Sequence, residues 1–250
     1  MSWKCIAALA LASVCTAAAG AQIHVISGGA VNPPLARILP AFEQRSGNTV
    51  KIEYATAGEM SRRIMAGEQF DLAIVPDENI AGYDKAGRVI AASRVPLGRV
   101  GIGVAVREGA SVPDISTPEA FKAALLAAKS ISYVDPERGT TGKHLKAVFE
   151  KMGIAEELRP KSSFVPGGNA IEPVVRGEAE LGLQQMSEVM AAKGAHVVGY
   201  VPEPYQKWTV YSGIVMSGAA AEREARALLA YLASPETTAA FTATGFARPN

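Results

Sequence analysis

Residues 70–76 read FDLAIVP, and Leu72–Val75 is apolar at every position. A strand with one face in water alternates apolar and polar residues. A run without alternation belongs to a strand covered on both faces, as in parallel sheets flanked by helices. Working outward, IHVISGG (23–29) reads as a short strand ending in glycines. PPLARILPAFEQRSG (33–47) then places Leu35, Ile38, Leu39 and Phe42 at helical spacing, with Gly47 as the stop. TVKIEYAT (49–56) alternates like a strand, and AGEMSRRIMAGE (57–68) follows as a helix.

The alternation continues toward the C-terminus. RVGIGVAVR (99–107) reads as one strand. In STPEAFKAALLAAK (116–129), Thr117 is placed to cap a helix and Pro118 to occupy its first position. SISYVDP (130–136) is a strand, and TGKHLKAVFEKMG (141–153) puts Leu145, Val148, Phe149 and Met152 on one helical face. NAIEPVVRGE (169–178) reads as a helix and LGLQQ (181–185) as a strand. WTVYSGIVMS (208–217) is a further strand, with AEREARALLAYLAS (221–234) and the capped SPETTAAFTATGF (234–246) as final helices. Repeated β-α units predict an α/β architecture with mostly parallel sheets and helices on both faces.

Three strand-to-helix turns are built from small residues: Ser27-Gly28-Gly29, Thr56-Ala57-Gly58 and Gly139-Thr140-Thr141-Gly142. Such turns leave backbone N–H groups and the positive end of a helix dipole open to an approaching anion. Each residue type is also an ordinary helix cap, so the set of three carries the reading rather than any member. No lysine follows these glycines at Walker spacing, and no dinucleotide fingerprint is present.

The chain opens MSWKCIAALALASVCTAAAGAQ, with Lys4 ahead of an apolar run and Ala19-Gly20-Ala21 as a small-residue cleavage signal. This predicts a signal peptide over 1–21 and an exported, periplasmic mature chain. Val14 before Cys15 does not suit a lipoprotein. Both cysteines, Cys5 and Cys15, fall in the leader, so the mature chain has neither disulfides nor a thiol nucleophile. With 25 basic against 24 acidic residues and no basic run, the electrostatic footprint for nucleic acid or a membrane surface is missing. His24, His144 and His196 are far apart in sequence, and neither a zinc motif nor a G-x-S-x-G elbow occurs. No metal or cofactor is expected.

Residues 25–76, from VISGGAVNPP to FDLAIVP, resemble the opening of the molybdate-type periplasmic solute-binding proteins of ABC importers. DISTPEAFKAALLAAKSISYVDPERGTTGKHLKAVFEKMGI, VVRGEAELGLQQMSE and ALLAYLASPETTAAF continue the likeness in the same order. The resemblance implies a type II periplasmic binding protein: two α/β lobes, a cleft between them and closure by hinge motion. It places the first lobe at 22–100 and 200–250 and the second at 101–199. It further implies a monomer that captures a small anion and presents it to an inner-membrane permease.

Carried over by position, Ser27, Gly28, Thr56 and Gly58 would face the cleft from the first lobe, with Thr140, Thr141 and Gln185 from the second. The molybdate binders typically have a tyrosine at the position of Gln185. A glutamine there suits a carboxylate as well as a tetrahedral oxyanion. Arg138 beside its turn, with Arg62 and Arg63 after Thr56, would add a fork for a carboxylate. The segment Leu181–Glu188 also resembles that of periplasmic aconitate isomerases, enzymes of the same fold. On that alternative a base removes a proton next to a carboxylate. His144 and Glu188 are the candidates, with Glu59 and Tyr211 also in reach.

Overall fold

The computed structural model describes residues 20–249. The expected leader lies outside the described residues except for Gly20 and Ala21. Twenty-one strands and helices follow in chain order, joined by short 3-10 turns. They are β1 (Gln22–Gly28), α1 (Asn32–Ser46), β2 (Thr49–Ala55), α2 (Ala57–Ala66), β3 (Leu72–Pro76), α3 (Ile80–Lys85) and β4 (Val95–Val100). Next come β5 (Ile102–Arg107), α4 (Pro118–Ala127), β6 (Ile131–Val134), α5 (Thr140–Lys151), α6 (Ala155–Leu158) and β7 (Ser162–Val165). The chain ends with α7 (Glu172–Val175), β8 (Leu181–Gln185), α8 (Met186–Ala191), β9 (Ala195–Tyr200), β10 (Thr209–Val215), α9 (Glu222–Leu232), α10 (Pro235–Thr242) and β11 (Phe246–Ala247).

Two sheets form, in the orders β11-β4-β10-β3-β1-β2 and β7-β6-β8-β5-β9. Each with its helices makes one lobe. The run that opened the reading behaves as expected. All of β3 is buried, with Leu72 and Ile74 in the core beneath α1 and α9. Ala73 and Val75 point the other way, into the core with Met60 and Ile64 of α2. A third core, around Phe121, Leu125, Leu145 and Phe149, packs on the second sheet.

The parallel expectation holds for β3-β1-β2 and β7-β6-β8. The remaining pairings are antiparallel, so the sheets are mixed. The reason lies at the crossings between lobes. RVGIGVAVR is two strands rather than one: β4 joins the first sheet, β5 the second, and Gly101 alone separates them. The return crossing runs from β9 to β10. Gln206 clamps the two crossings together, accepting from the Ile102 N–H at 2.8 Å and donating to the carbonyls of Ile102 (3.0 Å) and Val201 (3.2 Å).

Thr117 caps α4 by accepting from the Ala120 N–H at 3.1 Å. Gly47 ends α1 at φ 71°, a left-handed conformation that costs glycine little. Ser234 precedes α10 without making a side-chain cap bond, so that capping expectation is corrected. Among the described residues, no helix is long and apolar enough to cross a membrane.

Candidate ligand-binding cleft

All three turns reach one cavity of about 130 Å³ between the sheets. Gly28, Gly29 and Ala30 line it where β1 passes into a 3-10 turn ahead of α1. Thr56 and Ala57 line it at the start of α2, and Gly139, Thr140 and Thr141 at the start of α5. The first N–H groups of a helix have no intrahelical acceptor, so these turns converge as donors and as positive dipole ends. Thr56 is both cap and lining: its oxygen accepts from the Glu59 N–H at 3.3 Å, leaving its proton to donate. Gly142 holds α5 against β6, since a Cβ there would stand 2.0 Å from the Val134 carbonyl oxygen.

Other anticipated residues fall elsewhere. Ser27 is fully buried, and its hydroxyl donates to the Gly28 carbonyl at 3.3 Å; strand alternation turns it away from the turn that lines the cavity. Gly58 donates its N–H to the Arg138 carbonyl at 3.1 Å, joining the lobes at the rim. The Arg138 side chain is exposed and lies 3.7 Å from the Asp135 carboxylate. Arg62 pairs with Glu59, and Arg63 with Glu53 and Glu68, so none of the three arginines forms a fork in the cavity. His144 donates from Nε2 to the Tyr205 carbonyl at 2.8 Å, which commits its ring to the hinge side.

The second lobe contributes Gln184, Gln185 and Glu188 to the lining. The two adjacent glutamines have different partners. Gln184 accepts from the Ala170 N–H and donates to the Gly168 carbonyl, bracing the loop ahead of α7. Gln185 donates to Thr141 Oγ1 (3.1 Å) and to Thr209 Oγ1 (3.3 Å), the latter in the other sheet, and its own oxygen has no partner. Ser187 donates across the lobes to the Ala30 carbonyl at 2.7 Å. These cross-lobe bonds hold the cleft closed.

Glu188 is the one carboxyl among the described lining residues, and no lysine, arginine or histidine joins it. Burial pushes its pKa up to about 7, opposed by a smaller pull from the Gln184 amide. Tyr211 enters from β10 with a buried ring, and its phenol pKa is raised by burial first and by the Glu188 and Glu78 charges second. Tyr54 closes another side. The sequence reading missed Ala30 and Tyr54. Their position beside the hydroxyl-glycine turns was the available signal. Together the groups can hold a small anion by neutral donors and exchange one proton with it.

The chain matches the family model described as bacterial extracellular solute-binding protein over residues 23–247. It is 35% identical over 231 residues to the aconitate isomerase of a Pseudomonas sp, covering 89% of this chain and 86% of that one. It is 28% identical over 230 residues to the molybdate-binding protein ModA of Escherichia coli (strain K12), covering 90% and 88%. The periplasmic molybdate-binding protein of Azotobacter vinelandii superposes with a TM-score of 0.78 at 18% identity, over 91% of this chain and 100% of that one. With its two-lobed periplasmic-binding fold and a family match spanning nearly all of the described residues, the chain belongs to the bacterial extracellular solute-binding proteins.

Proposed function

We propose that this chain binds a small unsaturated carboxylic acid in the cleft and moves a proton on it, acting as an isomerase of the aconitate isomerase kind. The observation that carries the reading is the single carboxyl of Glu188, placed in a cavity whose other described lining residues are all uncharged. A base for carbon acids works best with a pKa near the working pH, and about 7 meets that condition.

The chemistry balances without a cofactor. The Glu188 carboxylate takes a proton from a carbon lying between a carboxylate and a carbon–carbon double bond. The electron pair spreads over the allylic carbons and their carboxylates. Glu188, whose proton can exchange with water in between, then delivers a proton to the far carbon, so the double bond has moved and Glu188 is again ionised. Donors at the three turns offset the substrate's charge.

A second reading is favoured by the absence of cationic lining residues. Neutral donors suit a receptor that captures an anion reversibly for an ABC permease, closing at the hinge as ligand touches both lobes. Either reading fits lobes at 22–100 plus 200–250 and at 101–199, since the strands of each range share a sheet apart from Tyr200 at the end of β9, and either goes with a monomer. Either also fits a periplasmic protein with its leader removed after Ala21.

The experiment is an NMR time course of the mature protein with cis- and trans-aconitate, set against Glu188→Gln and a protein-free control. Interconversion that Glu188→Gln loses supports the isomerase. Binding of molybdate or a carboxylate without interconversion supports the receptor.

A further inference from the structure

Removing a proton from carbon puts negative charge on a carboxylate oxygen, and in this cavity no cation lines the wall to meet it. The charge must be met by fixed donors. One side chain is held for that purpose more firmly than the rest. Tyr211 sits in β10 where its pairing with β4 slips: Tyr211 faces Gly98, but Ser212 faces Pro96. The extra residue, Leu97, belongs to β4, so the bulge bends the strand that faces Tyr211.

The aim of the side chain is fixed on two sides. The Tyr211 ring packs edge-on to Phe246, with centroids 6.2 Å apart. Its other side runs over Gly28, where a Cβ would stand 2.7 Å from Cε1 and 3.3 Å from the hydroxyl. Only a bare backbone admits the ring there. The residue is 5% exposed, and the Glu188 and Glu78 carboxylates act on its phenol through charge. Glu188 arrives from the opposite lobe at the next residue, with Oε1 2.8 Å from the position of a Cβ on Gly29. The acid–base group and the phenol therefore reach the cavity over adjacent glycines.

We propose that Tyr211 is a catalytic donor whose hydroxyl holds the carboxylate oxygen that gains charge as Glu188 takes the allylic proton. This rests on the isomerase reading and narrows its substrate to an acid whose carboxylate is conjugated with the carbanion. The C–H bond breaks, the proton goes to Glu188, and the electron pair moves through the allylic carbons onto the oxygen that Tyr211 binds. When a proton is delivered to the far carbon, the charge leaves that oxygen. Tyr211 keeps its own proton throughout, as its raised pKa requires. Phenol donors paired with a carboxylate base are an established solution to this kind of proton shift in unrelated enzymes.

The test measures deuterium incorporation into trans-aconitate in heavy water, with wild type and Tyr211→Phe compared at saturating and limiting substrate. The variant should lose about 10²–10³-fold in kcat, with KM changed far less, as for loss of an oxyanion donor. A melting curve checks that it folds. If it does not fold, the wild-type tyrosine absorption difference on adding trans-aconitate replaces it: a spectral shift on binding supports the contact, and no shift on saturation overturns it. Wild-type exchange with an unimpaired Tyr211→Phe overturns the tyrosine's role and leaves the isomerase standing. Binding of trans-aconitate without exchange in wild type overturns both.

Discussion

Glu188 Oε1 stands 2.8 Å from where a Cβ would lie on Gly29, so a carboxyl of one lobe rests against bare backbone of the other. The carboxyl is the free end of a flexible side chain, and an added methyl would turn it aside rather than split the lobes. Gly29→Ala should fold, with its melting temperature near wild type. If Glu188 is the base, proton exchange on trans-aconitate should fall by about 10²-fold or more, the usual contribution of such a group. Undiminished exchange in the folded variant would remove Glu188 from the chemistry.

Glu188 also sets a pH dependence of stability. Its folded pKa of about 7 lies above its ordinary value, so between the two the folded chain holds a proton that the unfolded chain has released. Stability from this group is therefore intact below the ordinary carboxyl range and declines as pH rises to about 7. Above that the cost levels off at up to about 3 kcal/mol. Glu188→Gln should raise the melting temperature at pH 8 and change it little at pH 4. An equal gain at both values would mean that Glu188 titrates normally.

The same titration bears on rate with the opposite sign. If Glu188 is the base of an isomerase it acts as the anion, so kcat/KM for isomerisation should climb with pH and level off above about 7. A pH–rate profile over pH 5–9 reads this directly. A rate that falls across that range would assign the essential group the role of an acid.

Gln206 is expected to govern the hinge. It joins the two crossings through Ile102 and Val201, and truncation would leave those backbone groups to water or unpaired. Gln206→Ala should cost about 1–3 kcal/mol in chemical denaturation. It should also widen the ligand-free scattering profile if the clamp holds the lobes together. An unchanged profile and an unchanged midpoint would make the bonds incidental.

The parts legible in the sequence are those governed by local chemistry. Apolar continuity marked β3, helical spacing marked α1 and α5, and Thr117 with Pro118 marked the start of α4. The small-residue turns pointed to the cavity because they are where helices begin. What stayed hidden depends on tertiary direction. Gly101 looks like any strand glycine until β4 and β5 are seen to enter different sheets. Ser27 and Gly28 are neighbours and both buried, yet only Gly28 lines the cavity. Arg138 and His144 were plausible by spacing, but an exposed loop and the Tyr205 carbonyl claim them. Tyr211 reaches the cavity over Gly28 of another strand, a contact that its own sequence does not announce.

The strand orders also dictate when each part of the molecule is able to form. The second sheet is drawn wholly from residues 102–200, so an emerging chain can complete it early and locally. The first cannot close that way. Its β4 is flanked by β10 and β11, so it stays unpaired until the last forty residues or so have arrived. Truncation from the C-terminus should therefore strand β4 and expose the edge of β3 while leaving the second lobe's core intact. A limited-proteolysis fragment spanning that inner segment is the expected trace.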